Sequence, residues 1–148
     1  MRVTLRKWRR SETGGATLEF ALVSVPLLLV MFGVAEFGRS IWIQQALQNT
    51  SFKVARCAGL ALASCAASGA YSASATLSYA ETMAKQWGVT LGSSNVTLSH
   101  ASSCPGQSGL TTFSMVTLTY PFSTVVAKLI PQLDGKTISA SACFPNAS

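Results

Sequence analysis

A run of sixteen residues without a charge, opening at Phe20 and closing at Ala35 (residues 20–35), constrains this chain more than any other feature. It reads FALVSVPLLLVMFGVA. As a helix it rises about 24 Å, short of the roughly 30 Å hydrocarbon core of a bilayer. The wider segment from Gly15 to Glu36 makes up the length if Glu19 sits near one interface. The competing reading is a buried core helix of a soluble protein. A basic cluster in front and the density of Leu27, Leu28, Leu29, Val30, Met31 and Phe32 favour a membrane segment. Pro26 lies inside the run, where its missing amide proton marks either a kink or a proline of the kind membrane helices tolerate.

Composition points the same way. Apolar residues make up 49% of the 148-residue chain and charged residues 11%, against about 25% charged in an ordinary soluble domain. The net charge of +6 is concentrated at the start: Arg2, Arg6, Lys7, Arg9 and Arg10 oppose only Glu12 in residues 1–14. The remaining cations, Arg39, Lys53, Arg56, Lys85, Lys128 and Lys136, are scattered. They form no grouped patch of the kind a nucleic acid requires, so no nucleic-acid partner is expected.

Orientation follows from the positive-inside rule. Five basic residues precede the apolar run and only Arg39 follows it closely. The N-terminus is expected in the cytoplasm and the residues beyond about 40 outside it. All four cysteines, Cys57, Cys65, Cys104 and Cys143, fall on that outer side, an even number in an oxidising compartment. Three pairings exist. Cys57–Cys65 and Cys104–Cys143 are preferred, because they close a local loop and tie the last strand to a preceding loop. There is no C-x2-C pair and His100 is the sole histidine, so no metal site is expected.

The segment Gly33-Val34-Ala35 offers a weak signal-peptidase site. A better processing signal lies upstream. Residues 14–20 read Gly-Gly-Ala-Thr-Leu-Glu-Phe, directly after the basic stub. This resembles the prepilin-peptidase site of type IVb pilins and pseudopilins. Cleavage between Gly14 and Gly15 would leave Glu19 as the fifth residue and Phe20 as the sixth. A carboxylate at the edge of a membrane helix is costly unless paired. Cleavage would create a positive amine at Gly15, four residues away on the same helix face. Glu19 would then lie in the first turn, where the helix dipole favours negative charge. In the family this glutamate is thought to pair with the amine of a neighbouring subunit. The competing reading is a glutamate that simply reaches for the headgroups.

The resemblance continues through Glu36-Phe37-Gly38-Arg39, Gln44-Gln45-Ala46-Leu47-Gln48-Asn49, Ala55-Arg56 and Tyr120-Pro121-Phe122. Together these look like a TadE-like minor pseudopilin of the tight-adherence (Tad/Flp) pilus system, most strongly over residues 14–60. The resemblance implies prepilin peptidase, other pilins and pseudopilins of the system, and inner-membrane lipid as partners. It places the chain in a bacterial inner membrane with a periplasmic head, with entry into an extracellular pilus as an option, and implies roles in pilus assembly, adhesion and biofilm formation.

Beyond the apolar run, Ile43, Leu47, Thr50, Val54, Cys57 or Ala58, and Ala61 recur at steps of three and four. The spacing predicts one continuous helix over residues 15–62, transmembrane and then periplasmic. Residues 59–75 read as a helix end plus a loop rich in Ala, Ser and Gly. Leu77, Ala80, Ala84 and Trp87 predict a second helix over residues 75–87, stopped by Gly88. Strands are predicted at 95–99, 112–120 and 136–144, with Pro121 ending the middle one and Asp134-Gly135 turning into the last. A short helix is expected from Thr124 to Ile130. The fold class is thus α+β: a long N-terminal helix, a second helix and a small antiparallel sheet of about three strands. The domains are a basic cytoplasmic leader (1–14), a helical rod (15–62) and a head (63–148).

Catalytic chemistry has little to work with. The head offers Glu81, Asp134 and His100, with no paired carboxylates, nucleophilic triad order or phosphate loop. His100 reads as an exposed loop residue. No catalytic residue and no cofactor are expected, and the chain is read as no enzyme. The alternative to a processed pseudopilin is an uncleaved single-pass scaffold with a periplasmic binding head.

Overall fold

One helix, α1 (Gly14–Gly59), begins the part of the chain that the computed structural model describes, which comprises residues 14–106, 112–124 and 135–147. Two units divide at residue 37, and α1 contributes to both. In the first unit the helix runs through Pro26. None of residues 15–37 is buried, and its apolar side chains, Leu28 and Phe32 among them, stand exposed. A helix apolar all round belongs in a core or in lipid. The most apolar window of Gly15–Gly59 is 0% buried, so the core-helix reading fails for this chain. The helix is long and apolar enough to cross a membrane.

The second unit, residues 38–148, is the head. Here α1 becomes one-sided. Ile43, Ala46, Leu47, Thr50, Ser51, Val54, Ala55, Cys57 and Ala58 are buried, at the three- and four-residue steps of a single helical face. Against this core lie β1 (Ala66–Ala67), β2 (Ala70–Tyr71), α2 (Ala73–Gln86), a 3-10 turn (Ser93–Asn95), β3 (Val96–Ser102), β4 (Phe113–Phe122) and β5 (Lys136–Pro145). The three long strands form an antiparallel sheet in the order β3-β4-β5. β4 and β5 pair without a shift from Phe113↔Pro145 to Phe122↔Lys136. Val116 and Leu118 on β4 join Leu47, Val54, Ala80 and Ala84 in the core.

Several boundaries differ from the sequence expectation, each for a local reason. α1 stops at Gly59 and not at 62. The amide of Leu62 donates to Cys57 O (3.0 Å) and that of Ala61 to Ala58 O (3.2 Å). This is a Schellman-type ending with Ala61 in the left-handed region at φ 44°. α2 ends the same way: Val89 N donates to Ala84 O with Gly88 at φ 77°. Its start is set by Ser72, whose hydroxyl accepts from Ala75 N.

The stretch read as a loop holds a hairpin, β1 against β2, with Ala67 opposite Ala70. Its turn residues, Ser68 (φ 53°) and Gly69 (φ 81°), both have the positive φ that a type I′ turn requires. Pro121 does not end β4; it lies inside the strand, opposite Thr137. Pairing with β3 stops at Val96↔Leu118. Past that point β4 has a neighbour on one side only, and an edge of this kind is where a sheet admits proline. The helix expected from Thr124 to Ile130 and residue Asp134 of the expected turn lie outside the described residues, apart from Thr124 itself.

Candidate functional site

The candidate processing and assembly residues sit at the start of α1. Gly14 and Gly15 are its first described residues, and a side chain added at Gly15 would meet nothing within 4 Å among the described residues. A peptidase needs an extended strand of substrate, so a helical Gly14–Gly15 bond must first unwind. Glycine makes this easy, because each one lowers helix stability by about 1 kcal/mol relative to alanine. The glycine pair is thus a locally weak point of the helix.

Glu19 and Phe20 follow on the exposed surface of the same helix, Phe20 at 74% exposure. Gly15 and Glu19 are separated by four residues and share a face. A chain beginning at Gly15 would bring Glu19 to the fifth position, within reach of the helix dipole of the first turn.

A family model described as TadE-like protein matches residues 14–56. Over these residues the chain is similar to TadE-like proteins. The match begins at the first of the two glycines, runs through the apolar segment and ends inside the buried stripe of the head helix. The β-rich part of the head, including Tyr120-Pro121-Phe122, lies beyond it. No curated protein and no solved structure gives a match.

The head holds two disulfides. The structure joins Cys57 to Cys65, with Cα atoms 5.8 Å apart, and Cys104 to Cys143, at 6.2 Å. The first locks the end of α1 to the start of the hairpin. The second ties the segment after β3 to β5 across the sheet. Among the described residues no three His, Cys, Asp or Glu side chains gather as a metal-binding group.

Sequence reasoning missed a polar network around His100. This residue lies within β3 and not in a loop. The β3·β4 register slips between Ser99↔Met115 and Ser102↔Phe113, leaving one extra residue on β3. At this bulge Ala101 has φ 59°, and such bulges re-aim side chains. The His100 ring stacks on Tyr71 (centroids 4.0 Å apart, planes within 5°). The Ser114 hydroxyl donates to Asn146 Oδ1 at 2.7 Å, and its oxygen lies 2.8 Å from His100 Nδ1.

Ser114 is 1% exposed. The network fastens β2, β3, β4 and the chain after β5 together. Burial pushes the Tyr71 hydroxyl above its ordinary value. The signals in the sequence were Ser68-Gly69, a turn pair, and the single histidine.

Proposed function

We propose that this chain is a minor pseudopilin of the tight-adherence pilus. In this reading prepilin peptidase cuts between Gly14 and Gly15, the helix crosses the inner membrane with the head in the periplasm, and the cut protein assembles through its N-terminal helix. Its work is structural and not catalytic, serving pilus assembly, adhesion and biofilm formation. Other pilins of the system are its partners, and it uses no cofactor.

The supporting observation is coincidence of position. The TadE-like match opens at residue 14, the first of the glycine pair, and runs on through the apolar helix. The glutamate four residues past Gly15 then has a physical reason to exist. A lone carboxylate near hydrocarbon is expensive, and a new terminal amine on a neighbouring subunit neutralises it.

The experiment is intact-mass and N-terminal peptide spectrometry on membranes from cells with and without the peptidase. The expected result is an N-terminus at Gly15 only when the peptidase is present. An unprocessed chain in its presence would sink the reading. In the same cells Glu19→Ala is expected to leave cleavage intact and to reduce surface pili; normal piliation would remove the charge-pairing argument.

A further inference from the structure

The head carries a small amphipathic patch where α1 leaves its apolar run. Trp42 on α1 meets Trp87 at the end of α2, with ring centroids 5.8 Å apart and planes at 62°. The Trp42 indole N–H donates to the Trp87 carbonyl at 3.2 Å. The indole therefore has its one polar hydrogen satisfied within the protein. What it still presents outward is ring carbon, at 56% exposure, beside Ile41 at 45%. Nearby, the exposed Arg39 guanidinium lies 4.7 Å above the Phe122 ring and donates to the Ser123 carbonyl. Arg39 is the only charged residue of α1 between Glu36 and Lys53. Lys85 stands at the end of α2, two residues before Trp87.

Counting along the helix places this patch. A span of about 20 residues crosses the hydrocarbon core. Counted from Glu19, the first carboxylate of α1, that length ends at Arg39. Trp42 follows about 4.5 Å further along the axis. The headgroup layer on each side is roughly 5–7 Å thick, the difference between a bilayer with and without it. Exposed indole carbon and a cation are what that layer accommodates, since tryptophan concentrates at interfaces and cations meet lipid phosphates there. Exposed in water, the same apolar surface would carry a cost.

We propose that Arg39, Trp42 and Trp87 form a lipid-facing patch that seats the head in the outer headgroup layer of the inner membrane before assembly. This rests on the reading of α1 as a membrane span. Trp42 belongs to the anchor helix, and its depth follows from the helix alone. Trp87 does not. Half-buried against the core, it reaches the interface through its contact with Trp42, so it makes the head a second point of attachment. The head is thereby held at one face by lipid, and leaving the membrane requires releasing that face as well as the anchor.

Tryptophan quenching by brominated lipid tests this. The full chain is placed in nanodiscs of phosphatidylcholine and phosphatidylglycerol at one copy per disc, with bromines either near the headgroup end of the acyl chains or near the midplane. In a Trp8→Phe/Trp42→Phe background only Trp87 emits. Its emission is expected to fall with shallow bromines and to fall less with deep ones. A Leu28→Trp reporter, added to a chain with all three native tryptophans changed to Phe, is expected to be quenched most by deep bromines. If Leu28→Trp is quenched and Trp87 is not, the patch is overturned and the membrane span survives. If neither is quenched, the span reading fails and the patch with it. Arg39→Gln is expected to reduce shallow quenching of Trp87; loss of that reduction on removing the anionic lipid would assign the arginine to the phosphates, and no effect in either lipid would remove Arg39 from the patch.

Discussion

At Gly59 the end of α1 and the end of β5 nearly touch. A Cβ added there would lie 2.9 Å from both Phe144 Cδ1 and the Pro145 carbonyl oxygen. The neighbouring chain is also held close by a hydrogen bond from Ala147 N to Gly59 O at 2.8 Å. Helix propensity alone would favour alanine by about 1 kcal/mol, but overpacking of this kind costs about 1–3 kcal/mol. Gly59→Ala is therefore expected to destabilise the head, seen as a lower urea midpoint in detergent; an unchanged or higher midpoint would contradict the close contact. Tyr71 gives a second residue-scale outcome. Burial raises its hydroxyl pKa in the folded state above the ordinary value near 10. Between those two values the unfolded chain loses the proton first, so stability falls as pH rises above about 10 and is fully present below it. With Tyr71→Phe this part of the alkaline loss is expected to disappear in pH-dependent unfolding of the head.

Among the elements, the disulfide from the segment after β3 to β5 carries the largest chain constraint. Cys104–Cys143 closes a separation of 39 residues, Cys57–Cys65 one of 8. Loop-closure entropy gives about 4 kcal/mol for the longer and about 2.5 for the shorter. The double variant Cys104→Ser/Cys143→Ser is thus expected to lower head stability more than Cys57→Ser/Cys65→Ser; the reverse order in denaturant titrations would show that local strain outweighs chain entropy. Legibility in the sequence followed the same physics. α2 could be read to within two residues because an apolar face and Gly88 mark it. β4 and β5 could be read because both are long and rich in β-formers. The hairpin could not, since two-residue strands have no period and only Ser68-Gly69 marks the turn. Pro121 misled because a proline closes a strand only where both edges are paired, and edge pairing is a property of the sheet. His100 looked like a loop residue because nothing nearby in sequence announces a bulge or a partner 14 residues away. The long apolar helix was plain because it depends on local order alone.

For the whole molecule, the anchor and the head are linked through redox compartment as well as through the chain. The head closes both disulfides and leaves no free cysteine. Such bonds form in the periplasm and are kept reduced in the cytoplasm. The stub places five cations ahead of the apolar run, and loop cations of this kind set orientation. Cysteine chemistry therefore reports topology. In the native chain all four thiols are expected to resist a maleimide-polyethylene glycol label until a reductant is added, giving no gel shift. Placing a lysine mid-span, Leu28→Lys, adds about 3 kcal/mol to the cost of insertion. That variant is expected to release protein from carbonate-washed membranes and to expose labelled thiols in the same fraction. Replacing Arg2, Arg6, Lys7, Arg9 and Arg10 with serine is expected to keep membrane retention while a share of the chains becomes labelled, because the span persists and only its direction is lost. Free thiols in the native chain would overturn the outward placement of the head. Protected thiols in both variants would separate disulfide formation from the anchor altogether.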